Sequence, residues 1–234
     1  MQQQASTEPR EVSVSSNLEL RLLDNGIPDS DISDCVVAHN SEWRGFFELT
    51  PEIMEQRLRS GELFLGVRKK GKLVGYLETM SHYVKIPNMP ADTDEPDTHT
   101  ALRIANFVSG QIKGDYFKHA PDGKWPKRPE NANVIRFVSI NVIPDEREYG
   151  YGGQMIDYIK QLLRMPAEER PEQLRDIVVS LTDTPVKPLP QKFHQKYGAL
   201  DTHYLEPGFR PGYDAPDIKR FCYLAPGFKP WLRT

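Results

Sequence analysis

The sequence predicts an α+β protein built around one central mixed β-sheet that helices flank. Three observations support this fold class. Segments with the period of strands and segments with the period of helices follow one another from Leu18 to Leu224. A strand rich in β-branched residues, Val134–Ile143, leads into a glycine-rich turn and an amphipathic helix. The pattern breaks only between about residues 85 and 133, where proline and acidic residues accumulate.

The first half of the chain contains predicted elements in the order strand, helix, helix, strand, strand. The second helix has the clearest start, because Thr50 is a hydroxyl cap, Pro51 suits the first turn and Glu52 lies at the positive end of the helix dipole. Lys70-Gly71 is a typical turn between two hairpin strands. The predicted elements are the strand Leu18–Leu23, a helix from a cap at Asp29, Ser30 or Asp31 to Trp43, a helix from Thr50 to about Ser60, and the strands Glu62–Arg68 and Lys72–Met80.

The second half begins with the interrupted region. A helix from about His99 to Phe117 is predicted within it, because a loop this long without structure of its own is unusual in a compact domain. We therefore expect a single domain over residues 17–234 with one insertion at 85–133, after a disordered tail at 1–16. The remaining predicted elements are the strand Val134–Ile143, the helix Tyr149–Met165, the strand Ile177–Leu181, the helix Gln191–Tyr197, and the strands Thr202–Leu205 and Lys219–Leu224.

Composition limits the partners and the compartment. The formal net charge of −3 gives no electrostatic reason to expect nucleic acid, and no apolar run is long enough to predict a membrane helix. The start of the chain, Met1–Ser16, lacks the apolar core of a secretory signal. Cys35 and Cys222 indicate a reducing, cytoplasmic location and no metal site, although one disulfide is also compatible with the sequence. A monomer and a homodimer are both compatible with it.

The turn from Pro144 to Gly153 has the composition of a phosphate-binding helix start. The first N–H groups of a helix have no partner within the helix and lie at its positive end, and glycines let that backbone approach a ligand closely. A strand, a glycine-rich turn and a helix therefore predict a pyrophosphate site. Neither the Gly-Lys-Ser/Thr of a P-loop nor the Gly-x-Gly-x-x-Gly of a dinucleotide fold is present. The alternative is a glycine-rich helix start that serves tight packing alone.

Two motifs resemble those of a known family. Val142-Ile-Pro144, followed by Arg147-x-x-Gly150-x-Gly152, resembles the acyl-CoA signature of the GNAT N-acetyltransferase superfamily. The segment from Lys192 to Ala199 resembles the Phe-Tyr-x-x-x-Gly-Phe late helix of the same family. With both motifs in the right order, the chain is identified as a member of this superfamily. The resemblance implies the GNAT fold, a mixed sheet of six to seven strands, with the helical insertion between the third and fourth strands.

The resemblance also implies an acetyl-CoA site. In the family, the strand before the loop splays from its neighbour, and the pantetheine arm of CoA fills the gap. By position, the backbone of Ile140 and Val142 is expected to bind that arm, and the loop amides are expected to bind the pyrophosphate. The implied donor-binding residues are Ile140, Asn141, Val142, Arg147, Glu148, Tyr149, Gly150, Tyr151, Gly152 and Gly153.

The chemistry that the resemblance implies is direct attack of a neutral amine on the thioester, through a tetrahedral oxyanion. His194 stands where the family has a tyrosine that protonates the departing sulfur, with Tyr197, another residue or water as alternative acids. For the base we consider Glu78, His82 and Asp183, acting directly or through a water chain.

A further departure from the family is that Lys187 and Pro190 stand where Asn and Ala are common, which affects side-chain contacts to pantetheine.

Three groups of residues have a functional and a structural interpretation. The acidic run at 92–97 either attracts a cationic substrate or is a solvated loop. Trp43, Phe46 and Phe47 either stack on the acceptor or belong to the core. Lys124–Arg128 either meets the 3′-phosphate of CoA or is solvent-exposed.

The sequence thus predicts an acetyl-CoA-dependent N-acetyltransferase of a small-molecule amine, whose acceptor pocket the insertion encloses on one side. Two other classes stay open. One is a GNAT-fold enzyme that transfers a longer acyl group or decarboxylates an acyl-CoA, and the other is a non-catalytic acyl-CoA sensor or scaffold.

Overall fold

The computed structural model describes residues 18–24, 26–43, 48–87, 98–112, 124–186, 188–206 and 217–225 of the 234-residue chain. Within these residues it contains seven strands and five α-helices. The strands are β1 (Leu18–Leu23), β2 (Phe64–Lys69), β3 (Lys72–His82), β4 (Val134–Val142), β5 (Val179–Pro185), β6 (Leu200–Glu206) and β7 (Ile218–Leu224). The helices are α1 (Asp29–Glu42), α2 (Pro51–Leu58), α3 (Thr98–Gln111), α4 (Tyr151–Leu162) and α5 (Pro188–Lys196). Short 3₁₀ segments occupy Pro144–Tyr149, Ala167–Glu169 and Glu172–Leu174.

All seven strands form one mixed sheet in the order β1-β2-β3-β4-β5-β7-β6. Neighbouring strands are antiparallel except for β4 and β5, which are parallel. A parallel pair needs a crossover, and α4 supplies it. The predicted α+β class with a mixed sheet is confirmed.

Local sequence accounts for several element boundaries. The Thr50 hydroxyl accepts a hydrogen bond from the Ile53 N–H at 3.4 Å, which is the predicted cap of α2. In the β2–β3 hairpin, Lys70 and Gly71 both have positive φ, 52° and 79°, as the predicted turn requires. The predicted cap of α1 is wrong, because the N-cap position is Pro28 and no side chain caps this helix.

Other predicted boundaries shift by a few residues. The helix after the glycine turn begins at Tyr151, because Pro144–Tyr149 forms a separate 3₁₀ segment that ends at Gly150 in the left-handed conformation. β5 runs from Val179 to Pro185 and is therefore later than predicted. α5 begins early, at Pro188, since proline is well suited to a first turn. Of the insertion predicted at 85–133, residues 88–97 and 113–123 lie outside the described residues, as does the tail at 1–16.

The core packs on both faces of the sheet. On one face, α4 buries Met155, Ile156 and Ile159 against the central strands, and each such side chain stabilises the fold by about 1.5–3 kcal/mol. On the other face, α1 and α2 cover Phe64 and Tyr76, with Trp125 stacked on Phe64 at 5.3 Å between ring centroids. Cys35 and Cys222 are both buried free thiols, so the one possible disulfide is not formed.

α3 lies on the same face as α1 and α2. Alternate residues of β3 put Glu78 and Met80 on that face, and Met80 pairs with Arg136 of β4. Arg136 in turn bonds Asp183 of β5, which bonds Arg220 of β7. The Arg220 guanidinium donates to the backbone carbonyls of Ser109 and Ile112 at the end of α3. Helix α3 therefore covers the β7–β6 end of the face that α1 and α2 cover over β3 and β4.

Candidate functional site

The central feature of the site is an interruption between the two parallel strands. β4 and β5 pair from Val134↔Val179 to Phe137↔Thr182, and there the pairing stops, although β4 continues to Val142 and β5 to Pro185. On its other side, β4 pairs with β3 along its whole length. Thr79 pairs with Phe137 and Glu78 pairs with Ser139, so Val138 has no partner in β3 and forms a β-bulge. The bulge lies where β4 leaves β5. An opening between the two strands therefore begins just beyond Phe137 and Thr182.

The backbone of β4 presents hydrogen-bonding groups to this opening. In a strand, successive residues direct their N–H and C=O groups to opposite sides. The Ile143 N–H donates to the Val74 carbonyl of β3 at 3.0 Å, so the groups of Val142 and Ile140 point away from β3. They face the opening, which is the position that the sequence assigned to the groups that bind pantetheine.

The glycine turn lies at the wide end of the opening. Gly150 has φ 75°, a conformation that L-residues rarely adopt, and it caps α4. The first bonds of the helix run from the Gly153 and Gln154 N–H groups to the Gly150 carbonyl. The N–H groups of Tyr151 and Gly152 precede these bonds at the positive end of the dipole. This is the geometry of an anion site.

Two of the glycines also permit close packing with α5. A Cβ on Gly152 would lie 3.3 Å from Ile140 Cγ2 and 3.4 Å from Phe193 Cζ. A Cβ on Gly153 would lie only 1.8 Å from the Tyr197 hydroxyl oxygen, closer than any real contact. The late helix motif and the glycine motif, about forty residues apart in sequence, are thus in direct contact. Tyr197 packs against the start of α4.

A polar cluster fixes the 3₁₀ segment before α4. Lys69 Nζ forms an ion pair with Glu146 at 2.8 Å and lies 4.4 Å from the centre of the Tyr149 ring. The Tyr151 hydroxyl donates to Glu146 Oε2 at 3.3 Å. The side chain of Glu146 is therefore occupied, whereas the Tyr149 ring is 60% exposed beside the turn.

Arg147, the first residue of the motif, turns its side chain towards α1. Its Nε donates to the Val142 carbonyl at 3.1 Å, and Nη2 donates to the Ser41 hydroxyl at 2.9 Å and lies 3.1 Å from Glu42 Oε2. The guanidinium thus covers one of the backbone groups that faces the opening. It also ties the last turn of α1 to the end of β4.

Glu78 lies in a buried polar chain on the α1–α2 face. It is 1% exposed and pairs with Arg57 of α2 at 3.0 Å. The Ser139 hydroxyl donates to Glu78 Oε1 at 2.6 Å, and Asn141 Nδ2 donates to Ser139 Oγ at 2.7 Å. The Trp43 indole N–H completes the chain by donating to Asn141 Oδ1 at 3.2 Å. Three elements, α1, α2 and β4, therefore converge on a carboxylate beside the narrow end of the opening.

Asp183, the other candidate carboxylate, lies between two guanidinium groups. Arg136 Nη2 is 2.6 Å from Oδ2, and Arg220 binds both carboxylate oxygens, at 2.6 and 2.9 Å. Burial raises the pKa of Asp183, but the charges of Arg136 and Arg220 outweigh it and hold that pKa below its usual value. His82, the third candidate base, pairs with Val134 at the opposite end of β4 from the glycine turn.

His194 is buried under α5, on the face opposite Glu78. Its Nδ1 lies 2.9 Å from the Tyr223 hydroxyl, and its ring stacks on Phe221 at 5.9 Å. Burial lowers the pKa of His194 from 6.5 to about 4, so the imidazole is neutral at neutral pH. The Tyr223 ring is 5.9 Å from that of Phe137, the last β4 residue paired with β5. The His194–Tyr223 pair therefore lies beside the narrow end of the opening.

Several residues singled out in the sequence lie elsewhere. Trp43 is half-buried and holds Asn141, whereas Phe46, Phe47, Lys187 and the acidic run at 92–97 lie outside the described residues. Within Lys124–Arg128, Arg128 donates to Ser81 and to the Gln173 carbonyl. Because Ser81 pairs with Ile135 at the start of β4, this stretch lies at the end of the strand remote from the glycine turn. This position is remote from the predicted diphosphate site and gives no support to the interpretation as a 3′-phosphate site.

Sequence reasoning missed Arg57 and Tyr223. Arg57 is a charged residue in the last turn of a short helix, where exposure is the ordinary expectation. Tyr223 belongs to a strand whose contacts come from helix α5, earlier in the chain. Only a prediction of which face of α2 and β7 is buried could have found either residue. Among the described residues, no group of three or more His, Cys, Asp or Glu side chains could hold a metal ion, and no helix could cross a bilayer.

Comparison with known proteins supports the fold through structure and not through sequence. No protein-family model matches the chain, and no curated protein matches it. Among solved structures, an N-acetyltransferase from Staphylococcus aureus Mu50 has 12% identity and a TM-score of 0.55, with 90% of this chain and 99% of that one covered. The loading GNATL domain of CurA from Lyngbya majuscula has 13% identity and a TM-score of 0.57, with coverages of 89% and 98%.

A third structure, yncA from Salmonella typhimurium with acetyl-CoA, has 11% identity and a TM-score of 0.50, with coverages of 90% and 95%. At this identity the likeness concerns the fold alone. The chain has the fold of the GNAT N-acetyltransferases over about nine-tenths of its length.

Proposed function

We propose that this chain, with its GNAT fold, is an acetyl-CoA-dependent N-acetyltransferase that acetylates the primary amine of a small molecule. The observation that carries the proposal is the opening between β4 and β5 beyond Phe137 and Thr182, with an anion-binding helix start at its wide end. A pantetheine arm is an extended chain with two amides, and the unpaired β4 backbone offers it the partners of a missing strand.

The donor would bind along β4 and over the glycine turn. The backbone of Ile140 and Val142 would pair with the pantetheine amides, and the diphosphate would lie on the N–H groups at the start of α4, where each charge-assisted bond contributes about 1.5–3 kcal/mol. Arg147 Nε would have to leave the Val142 carbonyl, which frees its guanidinium for the diphosphate. The proposed donor-binding set remains Ile140, Asn141, Val142, Arg147, Glu148, Tyr149, Gly150, Tyr151, Gly152 and Gly153.

The reaction proposed is direct attack of the neutral amine on the thioester through a tetrahedral intermediate, without an acyl-enzyme. The enzyme would contribute mainly position and electrostatic stabilisation. Glu78 is the proposed base, because it is the carboxylate that a hydrogen-bonded chain links to the α1–α2 side of β4. For Asp183 we propose a structural role, since two guanidinium groups already bind it.

The proton for the departing sulfur would come from the His194–Tyr223 pair. His194 stands at the tyrosine position of the family motif, and its imidazole is shorter than a phenol. The Tyr223 hydroxyl, 2.9 Å from Nδ1, supplies a phenol beside it. If Tyr223 donates to Nδ1, Nε2 carries the other proton. As the Nε2 proton passes to sulfur, the Tyr223 hydroxyl proton would move to Nδ1, and solvent would then return a proton to the Tyr223 oxygen.

Replacing His194 with phenylalanine should lower kcat by about 100-fold, a typical contribution of general acid catalysis, while the affinity for acetyl-CoA stays unchanged. Tyr223→Phe should lower kcat as well, and the double variant should be no slower than the slower single variant, because the two groups act together. Initial rates of thiol release measure kcat, and isothermal titration calorimetry measures the affinity for acetyl-CoA. Unchanged turnover of His194→Phe would remove His194 from the mechanism.

The pH dependence distinguishes this neutral donor from an imidazolium. An imidazolium acid with an ordinary pKa would lose activity as the pH rises through about 6.5. Because burial holds the pKa of His194 at about 4, its protonation does not change in that range. We therefore expect kcat of the wild-type chain to show no fall around pH 6.5.

The acceptor is proposed to be a small molecule because α3 covers part of the face on which Glu78 lies. The carbonyls at the end of α3 bind Arg220, which holds Asp183 at the edge of the opening. A helix at this position restricts the room for an extended polypeptide acceptor.

Thiol release from acetyl-CoA across a panel of small amines tests the proposed function. Amine-dependent release with an N-acetylated product, identified by mass spectrometry, is the expected result. Release with a longer acyl-CoA, or loss of CO2 from malonyl-CoA, would favour other acyl chemistry. Tight binding of acetyl-CoA without turnover of any amine would contradict the proposal and favour a sensor or scaffold.

A further inference from the structure

Ser139 occupies a special position in β4. It is the first residue after the bulge at Val138, just beyond the point where β4 and β5 stop pairing. The bulge places Ser139 opposite Glu78, on the face that α1 and α2 cover. Ser139 is 8% exposed, whereas Glu78 is 1% exposed. Of the two residues, Ser139 is therefore the one closer to solvent.

The hydrogen bonds around Ser139 all run in one direction. The Trp43 N–H donates to Asn141, the Asn141 amide donates to Ser139, and the Ser139 hydroxyl donates to Glu78. Trp43 can only donate, so it fixes which end of the Asn141 amide faces Ser139. Asn141 in turn leaves the Ser139 hydrogen no orientation except towards Glu78. A hydroxyl oxygen has two acceptor sites, and Asn141 uses one of them.

We propose that Ser139 is the proton relay between the acceptor amine and Glu78, an inference that rests on the proposed function. The proton leaves the substrate nitrogen for the free lone pair of Ser139 Oγ. At the same time, the hydroxyl proton of Ser139 passes to Glu78 Oε1, so Ser139 is unchanged and Glu78 becomes a neutral acid. The amine, now neutral, attacks the thioester carbonyl, and the nitrogen of the tetrahedral intermediate loses its extra proton to solvent as the departing sulfur takes a proton from the His194–Tyr223 pair. After the products leave, Glu78 returns its proton to solvent through Ser139.

The surroundings of Glu78 support a carboxylate that receives protons through a neighbour. A single nitrogen of Arg57, Nη1, is shared between its two oxygens, at 3.3 and 3.0 Å, and burial keeps substrate from direct contact. The other titratable groups that face it are Cys35 of α1 and Tyr76 of β3. Burial, followed by the charge of Glu78, raises the pKa of both, so neither is charged at neutral pH. His39 of α1 lies beyond Tyr76, 3.4 Å from its hydroxyl.

The relay makes Asn141 a positioning residue, because it acts only through Ser139. It lies between Ile140 and Val142 in the proposed donor-binding set, although its own backbone faces β3 and not the opening. Its side chain now has a distinct task on the acceptor side. Asn141→Ala would free the Ser139 hydroxyl to rotate, and we expect a smaller loss of kcat than removal of the hydroxyl itself.

The test compares Ser139→Val with Ser139→Thr, two variants of nearly the same shape that differ in the hydroxyl. kcat for an alkylamine and the affinity for acetyl-CoA are measured between about pH 6 and 10. Near pH 7 we expect Ser139→Val to lose about 100-fold in kcat and Ser139→Thr to lose less than about 5-fold. The loss in Ser139→Val should shrink as the pH approaches the pKa of the free amine, because the substrate then loses its proton to solvent. Affinity for acetyl-CoA should not change in either variant.

Three results would overturn the relay. The first is a Ser139→Val variant with wild-type kcat at pH 7. The second is a loss of kcat that is the same at every pH and the same in Ser139→Val and Ser139→Thr, which would indicate that Ser139 has a packing role. If valine prevents folding, Ser139→Ala replaces it in the same comparison. The third is a wild-type chain that binds acetyl-CoA without turnover, which overturns the proposed function together with the relay. An active wild type with an active Ser139→Val overturns the relay alone.

Discussion

Replacing Gly152 with leucine should abolish the binding of acetyl-CoA without unfolding the protein. A Cβ at this position lies 3.3 Å from Ile140 and 3.4 Å from Phe193, so a larger side chain has to enter the space between β4 and α5. That space is the wide end of the opening, next to the N–H groups at the start of α4. Loss of two charge-assisted hydrogen bonds, each contributing about 1.5–3 kcal/mol, corresponds to an increase in Kd of at least about 100-fold. Isothermal titration calorimetry measures the Kd of acetyl-CoA for the variant and the wild type.

Gly71→Ala, in the β2–β3 hairpin, is the control outside the proposed donor site. Gly71 has φ 79°, and no heavy atom lies within 4 Å of the position that a Cβ would take, so alanine strains the backbone by about 1–2 kcal/mol without obstructing anything. We expect a lower Tm and an unchanged Kd. A Gly152→Leu variant that binds acetyl-CoA as tightly as Gly71→Ala would contradict the placement of the donor along β4.

The turn could be predicted from the sequence because its geometry is local. A buried strand, a proline, two spaced glycines and an amphipathic helix follow one another within about twenty residues, and each restricts its neighbours. The same holds for the cap at Thr50 and for the Lys70-Gly71 hairpin. The boundary between 3₁₀ and α-helix at Gly150 was not predicted, since both conformations suit the residues from Pro144 to Tyr149.

The electrostatic state of the candidate catalytic residues could not be predicted in this way. The properties of Glu78 depend on Arg57 of another helix, and those of Asp183 depend on Arg136 and Arg220 of two other strands. His194 has the right position in its motif, but its pKa follows from burial, which only the packed structure defines. Residue type and spacing therefore selected the candidates, and tertiary contacts determine which of them can exchange protons.

Replacing Asp183 with asparagine should destabilise the protein strongly, because the carboxylate is the shared partner of two buried guanidinium groups. Arg136 and Arg220 are 4% and 0% exposed, and Asp183 is within 2.6 Å of a nitrogen of each. Removal of one partner from a buried ion pair typically costs about 3–5 kcal/mol, since the remaining charge stays in a poorly solvated site. For a domain of this size that loss corresponds to a fall in Tm of roughly 10 °C. Urea denaturation measures the loss in the free energy of unfolding, and scanning calorimetry measures the fall in Tm.

The control is Glu55→Gln, which removes the carboxylate of an exposed i,i+4 pair with Arg59 and should change stability by less than about 0.5 kcal/mol. The pH dependence provides a second check. The pKa of Asp183 is lowered in the folded state, so its stabilising contribution is complete above the ordinary pKa of about 3.9 and is lost as the pH falls through the lower, folded-state value. The stability difference between wild type and Asp183→Asn should therefore narrow only below about pH 4.

The same variant separates the two roles considered for Asp183. As a structural counter-ion, it should leave kcat per folded molecule nearly unchanged below the Tm of the variant. As a general base, it should lower kcat by about 100-fold or more, even where the variant is folded. An Asp183→Asn protein with wild-type stability and little turnover would make Asp183 the base and would reduce Glu78 to a packing role. We expect the opposite, because a carboxylate that binds two arginines through both oxygens has little capacity left to accept a proton from substrate.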